Sequence, residues 1–409
     1  MSYDVRVLRS DFPLLRRVVN GHPLTYLDSG ATSLTPRTVL EAMDVYYSRH
    51  HSNVHRGVYQ TAAEATEAYE GARADVARFI GAASPDEVVF TKNATESFNL
   101  LARAWGTAHL KEGDVVVLSE MDHHANLVPW FQLRDSHGIT LRFLRVNDEY
   151  RLDLSNLDEL LDGARLLSVT AMSNVLGTVT PIAQLAERAH AAGALLAVDG
   201  AQSVAHLPTN VATLGADFLA FSGHKMLGPT GIGVLWAKSE HWAETPPFLG
   251  GGGMISDVTL DGFTPASGPA RYEAGTPPIA EAVGLGAAVR YLSSIGMDAV
   301  AAHELDLTAY ALERLAHSFD ERVRIIGPST TLDRGGVISL DVEGVHPHDV
   351  SQVLDQHGVC VRPGHHCAKP LMRRFGLAAT ARASFGPYSI PAEVDTLVDA
   401  LRDALEMFT

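Results

Sequence analysis

Residues Ala194-Leu195-Leu196-Ala197-Val198-Asp199 form a short apolar run that ends in a carboxylate. A run of this kind is typical of a strand buried on both faces of a parallel sheet. Similar runs predict further strands at 87–90, 114–118, 139–146, 166–171 and 218–221. Helices are predicted between them at 94–105, from about 130 to 137, and from 181 to 192. Strands that alternate with helices indicate an α/β fold whose sheet is mostly parallel.

A second, smaller α+β domain is predicted in the C-terminal part of the chain. A long helix at 279–295 leads into it, and strands at 336–342 and 359–361 enclose a helix at 348–357. We expect residues 1–30 to pack with this small domain, 31–278 to form the large domain, and 279–409 to form the small one. The glycine-rich stretch from Gly250 to Gly275 predicts surface loops or a hairpin.

Composition excludes several classes of function. The chain has 409 residues, 46% of them hydrophobic, which is enough for two domains with buried cores. Its 32 basic and 48 acidic residues give a net charge of −16, which argues against a nucleic-acid or anionic membrane surface. No apolar run approaches the ~20 residues of a membrane helix, and the N-terminus lacks the apolar segment of a secretion signal. The only two cysteines, Cys360 and Cys367, favour a reducing compartment, so a cytoplasmic protein is predicted.

Lys225 is the candidate for covalent attachment of a cofactor. It follows the predicted strand 218–221 in the segment Phe221-Ser222-Gly223-His224-Lys225. Ligands of parallel sheets lie beyond the carboxyl ends of the strands, and a lysine there can form an imine with an aldehyde cofactor. From this segment alone, an exposed surface lysine is an equal alternative.

Asp199 is the candidate partner of a cationic ring. A carboxylate that follows five apolar residues is costly unless a cation pairs with it. A pyridinium nitrogen is such a cation, and the pairing makes the ring an electron sink. Gln202, three residues later, could hydrogen-bond an oxygen on the same ring. The alternative is an aspartate that caps the next turn.

The segment Thr91-Lys92-Asn93-Ala94-Thr95-Glu96 is a predicted strand-to-helix turn. Backbone amides at the start of a helix, together with the Thr95 hydroxyl, suit a phosphate group. Ser222 and His224 could supply further donors. The alternative is ordinary capping of the helix by Asn93 or Thr95.

Histidines follow another predicted strand in Met121-Asp122-His123-His124-Ala125-Asn126. His123 could stack on a pyridine ring or move protons, and the alternative is an exposed helix start. Other histidines occur at His50-His51, His55 and His365-His366. None has the Cys-x2-Cys or His-Glu-x2-His spacing of a zinc site, so no metal site is predicted.

Cys367 is the candidate nucleophile. It closes the polar loop Arg362-Pro363-Gly364-His365-His366-Cys367, which lies between apolar stretches. The thiolate is the reactive form of cysteine, and nearby imidazoles can help to form it. Cys360 lies instead in a strand-like run, where a thiol is expected to be buried and inert. A loop thiol together with an imine-forming lysine suggests removal of sulfur from an amino acid.

Together these segments resemble the pyridoxal-phosphate (PLP) enzymes of the class V aminotransferase group, and within it the SUF-type (group II) cysteine desulfurases, which also accept selenocysteine. The resemblance spans nearly the whole chain. Its segments are Tyr26–Ala31, Val54–Gly57, Thr91–Asn99, Asp122–Asn126, Ser173–Gly177, Val198–Gln202, Ser222–Lys225, Glu273–Pro277, Gly364–Ala368 and Ala381–Ser384. It implies fold type I of the PLP-dependent transferases, with a mostly parallel seven-stranded sheet in the large domain and a smaller α+β C-terminal domain.

The resemblance also implies roles for individual residues. Lys225 would bind the PLP aldehyde, Asp199 the ring nitrogen and Gln202 the ring oxygen, while His123 would stack on the ring. The phosphate would be held by Ala94, Thr95, Ser222 and His224, and by Thr276 from the second subunit of a homodimer. Asn174, Arg362 and Arg382 would bind the substrate, and Cys367 would accept its sulfur.

The activity implied is that of a cysteine desulfurase, which converts L-cysteine to L-alanine and leaves the sulfur as a persulfide on Cys367. The sulfur would pass to an acceptor protein of the SUF system for iron–sulfur cluster assembly. A selenocysteine lyase, or a sulfur donor dedicated to one pathway, would use the same site. A cofactor-bound scaffold without turnover is the alternative from another class, but it would need neither Lys225 nor Cys367. Pro363, Lys369 and Phe385–Ser389 depart from the family pattern.

Overall fold

The computed structural model of the chain describes residues 3–408. The strands in chain order are β1 Val18–Val19, β2 His22–Pro23, β3 Thr25–Tyr26, β4 Val88–Thr91, β5 Val115–Ser119, β6 Thr140–Leu144, β7 Ala164–Thr170, β8 Leu195–Asp199, β9 Phe218–Ser222, β10 Gly233–Ala237, β11 Ile255–Val258, β12 Phe263–Pro265, β13 Val323–Ile326, β14 Val337–Val342, β15 Val359–Cys360, β16 Arg362–Gly364 and β17 Thr380–Ser384.

The α-helices in chain order are α1 Val5–Arg9, α2 Arg37–Val45, α3 Gln60–Phe79, α4 Ala94–Leu100, α5 Thr107–His109, α6 Val128–His137, α7 Leu157–Leu161, α8 Ile182–Ala191, α9 Ser203–His206, α10 Val211–Leu214, α11 Ser239–Glu244, α12 Ile279–Ile295, α13 Met297–Ser318, α14 Pro347–Gln356, α15 Lys369–Arg374 and α16 Pro391–Phe408. The helix predicted at 94–105 is interrupted: α4 ends at Leu100, and a π-helical turn, Leu101–Gly106, joins it to α5.

The central sheet has seven strands in the order β4-β10-β9-β8-β7-β5-β6. Strand β10 runs antiparallel to both of its neighbours, and the other pairings are parallel. The mostly parallel α/β sheet predicted from the sequence is therefore confirmed. Only β10 was not predicted, because its five residues follow a turn rich in glycine and proline and no helix precedes them.

Both faces of this sheet are buried. On β5, Val115 and Val117 pack into the core on one face, whereas Val116 and Leu118 pack into the core on the other. A strand buried on both faces needs apolar residues at every position. This is why the central strands are continuous apolar runs in the sequence.

Five strands bring their polar ends to one edge of the sheet. Strands β4, β5, β7, β8 and β9 end there, and the antiparallel β10 begins there, with Gly233 paired to both Ser222 and Thr91. A side chain at Gly233 would collide with the backbone of Asn93, so glycine allows the start of α4 to lie directly against β10. The candidate residues that follow these strands therefore meet at one edge.

The C-terminal part forms a second, antiparallel sheet in the order β13-β14-β17-β16. The N-terminal segment contacts this part, because β3 pairs with β15 and Leu27 lies in the core of the second sheet. Helix α12 packs on α2 and α3 of the large domain. The domain boundary predicted at 279 is therefore wrong for this helix, since a contact between distant helices leaves no mark at the boundary in the sequence.

The glycine-rich stretch contains a short antiparallel hairpin of β11 and β12. Between residues 3 and 408, no helix combines the length and the apolar character needed to cross a bilayer.

Candidate active site

A cavity of about 170 Å³ opens at the polar edge of the central sheet. Eleven of the thirteen site residues predicted from the sequence line it, and only Cys367 and Thr276 do not. The eleven are Ala94, Thr95, His123, Asn174, Asp199, Gln202, Ser222, His224, Lys225, Arg362 and Arg382. Arg362 and Arg382 come from strands of the C-terminal sheet and the others do not, so the cavity lies between that sheet and the polar edge of the central sheet.

Lys225 and Asp199 both line this cavity, and each affects the pKa of the other. Burial lowers the pKa of Lys225 from 10.5 to about 8, although the Asp199 carboxylate opposes the change. Burial likewise raises the pKa of Asp199, against the effect of the Ala201 N–H and of Lys225. The Ala201 amide donates to Asp199 Oδ1 at 2.9 Å. The result is a lysine that loses its proton, and so becomes nucleophilic, close to neutral pH.

A cluster of donors surrounds the start of α4. The Ala94 N–H donates to Ser222 Oγ at 2.9 Å, which leaves the hydroxyl proton of Ser222 free to donate in turn. Asn93 caps the helix by accepting from the Glu96 N–H at 3.0 Å, so the predicted capping is present as well. Burial lowers the pKa of His224 to about 4, and the Lys225 charge lowers it further.

His123 is held in one tautomer by the backbone. The Ala125 N–H donates to His123 Nδ1 at 3.0 Å, so the ring proton lies on Nε2. Burial, aided by the Lys225 charge, lowers the pKa of His123 to about 3. The imidazole is therefore neutral at physiological pH, which suits stacking against an aromatic ring.

Asp122, beside His123, was not predicted as a site residue. It is fully buried, and it accepts from the Ser119 N–H at 2.8 Å and from the Thr170 N–H at 2.7 Å. These bonds tie the end of β5 to the end of β7. Burial raises the pKa of Asp122 to about 7, against the effect of the Ser119 donors. Its position directly before His123 is a signal that could have identified it.

Arg382 is 1% exposed and makes two polar contacts. Its Nη2 lies 3.1 Å from Asp28 Oδ1, and its Nη1 donates to the Asn174 carbonyl at 2.9 Å. Its Nε, although buried, meets no acceptor among residues 3–408. The arginine therefore makes a structural ion pair and still has a free N–H. Asp28 was missed as its partner, because the two residues lie 354 positions apart.

Asn174 joins the cavity to the loop that carries Cys367. Its Nδ2 donates to the His366 carbonyl at 2.8 Å, so one amide hydrogen of this predicted substrate-binding residue is already used within the protein. Arg362, at the start of β16, also lines the cavity.

The cysteine loop connects β16 to α15. His366 and Cys367 both have left-handed backbone conformations, with φ of 51° and 56°, which cost free energy in residues other than glycine. Hydrogen bonds hold this conformation: the His124 N–H donates to the Cys367 carbonyl at 2.8 Å, and His366 Nε2 lies 2.8 Å from Thr380 Oγ1. The Cys367 thiol is half-buried, and it is close enough to Lys225 to raise the pKa of that lysine.

Cys360 differs from Cys367 in its setting. It lies in β15, which pairs only with the short strand β3, so its side chain stays partly exposed and the expected burial of this thiol is wrong. Its partial burial, aided by Asp355 and Asp28, still raises the pKa of the thiol. A thiol that keeps its proton is a poor nucleophile. The two cysteines are unpaired.

Comparison with known proteins identifies the family. The sequence profile of the family described as Aminotransferase class-V matches residues 25–397. The chain is 51% identical to a probable cysteine desulfurase of Streptomyces coelicolor, across 99% of this chain and 98% of that protein. The chain belongs to the class-V aminotransferase family. Solved structures agree: a cysteine desulfurase of Thermococcus onnurineus superposes with a TM-score of 0.93 at 43% identity over 98% of each chain. The cysteine desulfurase CsdA of Escherichia coli gives 0.92 at 37% identity over the whole of both chains.

Enzymes of the class-V aminotransferase family depend on PLP, and the cavity fits this cofactor. Gln202 donates through Nε2 to the Gly30 carbonyl at 2.8 Å, while its buried Oε1 meets no partner within the described chain. An amine, a carboxylate and a set of hydroxyl and amide donors also face the same space. These groups match the aldehyde, the ring nitrogen and the phosphate of PLP.

Thr276 lies outside the cavity of its own chain. It lines a separate, larger cavity of about 630 Å³ together with His55 and Arg56, and its Oγ1 lies 3.4 Å from Asn53 Nδ2. A role for Thr276 in cofactor binding thus requires a second copy of the chain. Within residues 3–408, no cluster of three His, Cys, Asp or Glu side chains could hold a metal ion.

Proposed function

We propose that this protein is a cysteine desulfurase that converts L-cysteine to L-alanine and retains the sulfur as a persulfide on Cys367. The observation that carries the proposal is the half-buried thiol of Cys367, on a loop whose backbone is held by hydrogen bonds beside the cavity that contains Lys225 and Arg382. An aminotransferase needs no thiol at this place. The similar proteins named above are themselves described as cysteine desulfurases.

In this proposal eleven groups hold cofactor or substrate. Lys225 would bind PLP covalently, Asp199 would pair with its ring nitrogen, Gln202 would bond the ring oxygen and His123 would stack on the ring. Ala94, Thr95, Ser222 and His224 would hold the phosphate, while Asn174, Arg362 and Arg382 would bind the amino acid. Bound in this way, PLP withdraws electrons from the α-carbon of the amino acid.

Different side chains then orient the substrate, remove its α-proton and accept its sulfur. The free Nε–H of Arg382 and the charge of Arg362 orient the substrate carboxylate. When the substrate amine has taken its place on the cofactor, the Nζ of Lys225 is free to take the α-proton, and its lowered pKa of about 8 favours the neutral amine that this step needs. The Cys367 thiolate attacks the substrate sulfur: a new S–S bond forms, and the C–S bond breaks with its electron pair passing to the substrate carbons. The β-carbon then gains a proton and the α-carbon regains the one that Lys225 took, which gives alanine.

The wider role proposed is supply of sulfur for iron–sulfur cluster assembly. The short loop from Arg362 to Cys367 supports the SUF-type subgroup, with a SUF acceptor protein as partner. Two unpaired cysteines support a reducing, cytoplasmic location. The position of Thr276, away from the cavity of its own chain, supports a homodimer with shared sites.

The test is sulfide release by the PLP-loaded protein from L-cysteine in the presence of dithiothreitol, with L-selenocysteine in parallel. Equal amounts of sulfide and alanine are expected, and without reductant the peptide that contains Cys367 should gain the mass of one sulfur. Release of selenide alone would make the protein a selenocysteine lyase. Absence of both products, in a protein that binds PLP, would contradict the proposal.

A further inference from the structure

The segment around Cys367 differs in charge from the rest of the chain. From 356 to 392 there is no aspartate or glutamate, whereas at the average of 48 acidic residues in 409 a stretch of this length would hold about four. The same stretch has five basic residues: Arg362, Lys369, Arg373, Arg374 and Arg382. The region of the nucleophile is therefore basic in a protein whose net charge is −16.

Three of these five cations already pair with carboxylates or line the cavity. Arg382 is buried against Asp28, and Arg362 lines the cavity. Arg374 pairs with Asp148 at 2.7 Å and also approaches Glu120, which in turn pairs with Arg145. The two carboxylates that contact α15, those of Asp148 and Glu120, are therefore both paired with arginines.

Lys369 and Arg373 remain available. Both are exposed on α15, and within residues 3–408 neither side chain makes an ion pair or a hydrogen bond. The Lys369 N–H donates to His124 Nε2 at 3.1 Å, and the His124 N–H donates to the Cys367 carbonyl at 2.8 Å. These bonds hold the start of α15 directly beside the nucleophile.

We propose that Lys369 and Arg373 form a docking surface for an acidic protein whose thiol takes the sulfur from Cys367. The inference rests on the proposed function and deepens it by defining the partner's charge. Most of the surface of a chain with a charge of −16 repels an acidic protein. Two free cations at the sulfur exit therefore orient its approach toward Cys367.

The transfer balances without any other reactant. The acceptor thiolate attacks the outer sulfur of the Cys367 persulfide, a new S–S bond forms on the acceptor, and the bond to Cys367 breaks. Cys367 leaves as a thiolate and takes up the proton that the acceptor thiol lost. The sulfur passes between two thiols, so no external oxidant or reductant takes part.

The experiment uses the PLP-loaded protein and two peptides of equal length, each with one cysteine, flanked by glutamates in one and by lysines in the other. Persulfide on each peptide is followed by mass spectrometry at low and high salt. We expect transfer to the acidic peptide to be about three- to tenfold faster at low salt, and the preference to shrink at high salt. The double variant Lys369→Glu, Arg373→Glu, called the α15 variant below, should remove or reverse the preference for the acidic peptide.

The matched control is Lys111→Glu, Arg165→Glu. Both residues are exposed cations, but they lie near the beginnings of β5 and β7, at the edge of the sheet opposite to the cavity. This control has the same net charge as the α15 variant and should keep the acidic preference. If the α15 variant releases less sulfide with dithiothreitol, Lys369→Gln, Arg373→Gln replaces it, since glutamine removes the charge without adding repulsion.

Three results would overturn the docking surface: no preference in the wild type, an unchanged preference in the α15 variant, or an equal loss in the control. Transfer to dithiothreitol but to neither peptide would also overturn it. A wild-type protein that releases no sulfide even with dithiothreitol would show instead that the proposed function has failed.

Discussion

Replacing Lys225 by methionine in the cofactor-free protein should stabilise the fold at neutral pH, and the gain should shrink as the pH rises. Burial is the main cause that lowers the pKa of Lys225 from 10.5 to about 8, and the charges of Arg382 and Arg362 add to it. At pH 7 the folded protein therefore holds a charged amine in a place that favours the neutral form. The cost at pH 7 is about 3 kcal/mol, since each pH unit between the folded and unfolded pKa values corresponds to about 1.4 kcal/mol.

The pH dependence has a definite sign. Between pH 8 and 10.5 the unfolded chain keeps the Lys225 proton while the folded protein has lost it. The free energy of unfolding of the wild type therefore rises with pH in this window. Methionine does not titrate, so the stability advantage of Lys225→Met should fall by about 2 kcal/mol from pH 8 to pH 10.

The assay is urea unfolding of the two cofactor-free proteins at a series of pH values. An advantage that stays constant from pH 8 to pH 10 would refute the lowered pKa of Lys225. The same pair in an Asp199→Asn background serves as the control. Because the Asp199 carboxylate raises the pKa of Lys225, its removal should move the decline to lower pH.

The remaining predictions concern the thiols, the substrate arginine and the subunit contact. Cys367→Ser should bind PLP normally but form no persulfide by mass spectrometry, whereas Cys360→Ala should keep most activity and lose at most about 1 kcal/mol of stability; the reverse pattern would contradict the assignment of the nucleophile. Arg382→Lys should raise KM for cysteine about ten- to a hundredfold, because it loses a charge-assisted hydrogen bond, while the PLP absorbance stays unchanged; an unaltered KM would place the carboxylate elsewhere. Sedimentation should give a dimer, and mixing inactive Lys225→Ala with Thr276→Val protein should restore activity through hybrid dimers; a fully active monomer would exclude shared sites.

Much of the fold could be predicted because its cause is local. Residues of β8 are apolar at every position because both faces of the strand are buried, and the polar Asp199 marks its end. Strands β9 and β4 are also buried apolar runs, and the polar residues that follow them, Lys225 and the Thr91–Glu96 turn, mark their ends in the same way. The edge of a mostly parallel sheet then predicts that these residues meet, and eleven of the thirteen candidates do line one cavity.

The sequence by itself determined six of the seven strands of the central sheet, the lysine and aspartate at its edge, and the contrast between a loop cysteine and a strand cysteine. Only the tertiary structure decided which polar side chains keep a hydrogen-bonding group without a partner in the protein. Arg382 is paired to Asp28 yet keeps its Nε–H, and Asn174 uses an amide hydrogen on the His366 carbonyl. Short apolar runs reflect burial of one segment, whereas ion pairs, pKa values and the placement of α12 depend on which distant segments come together.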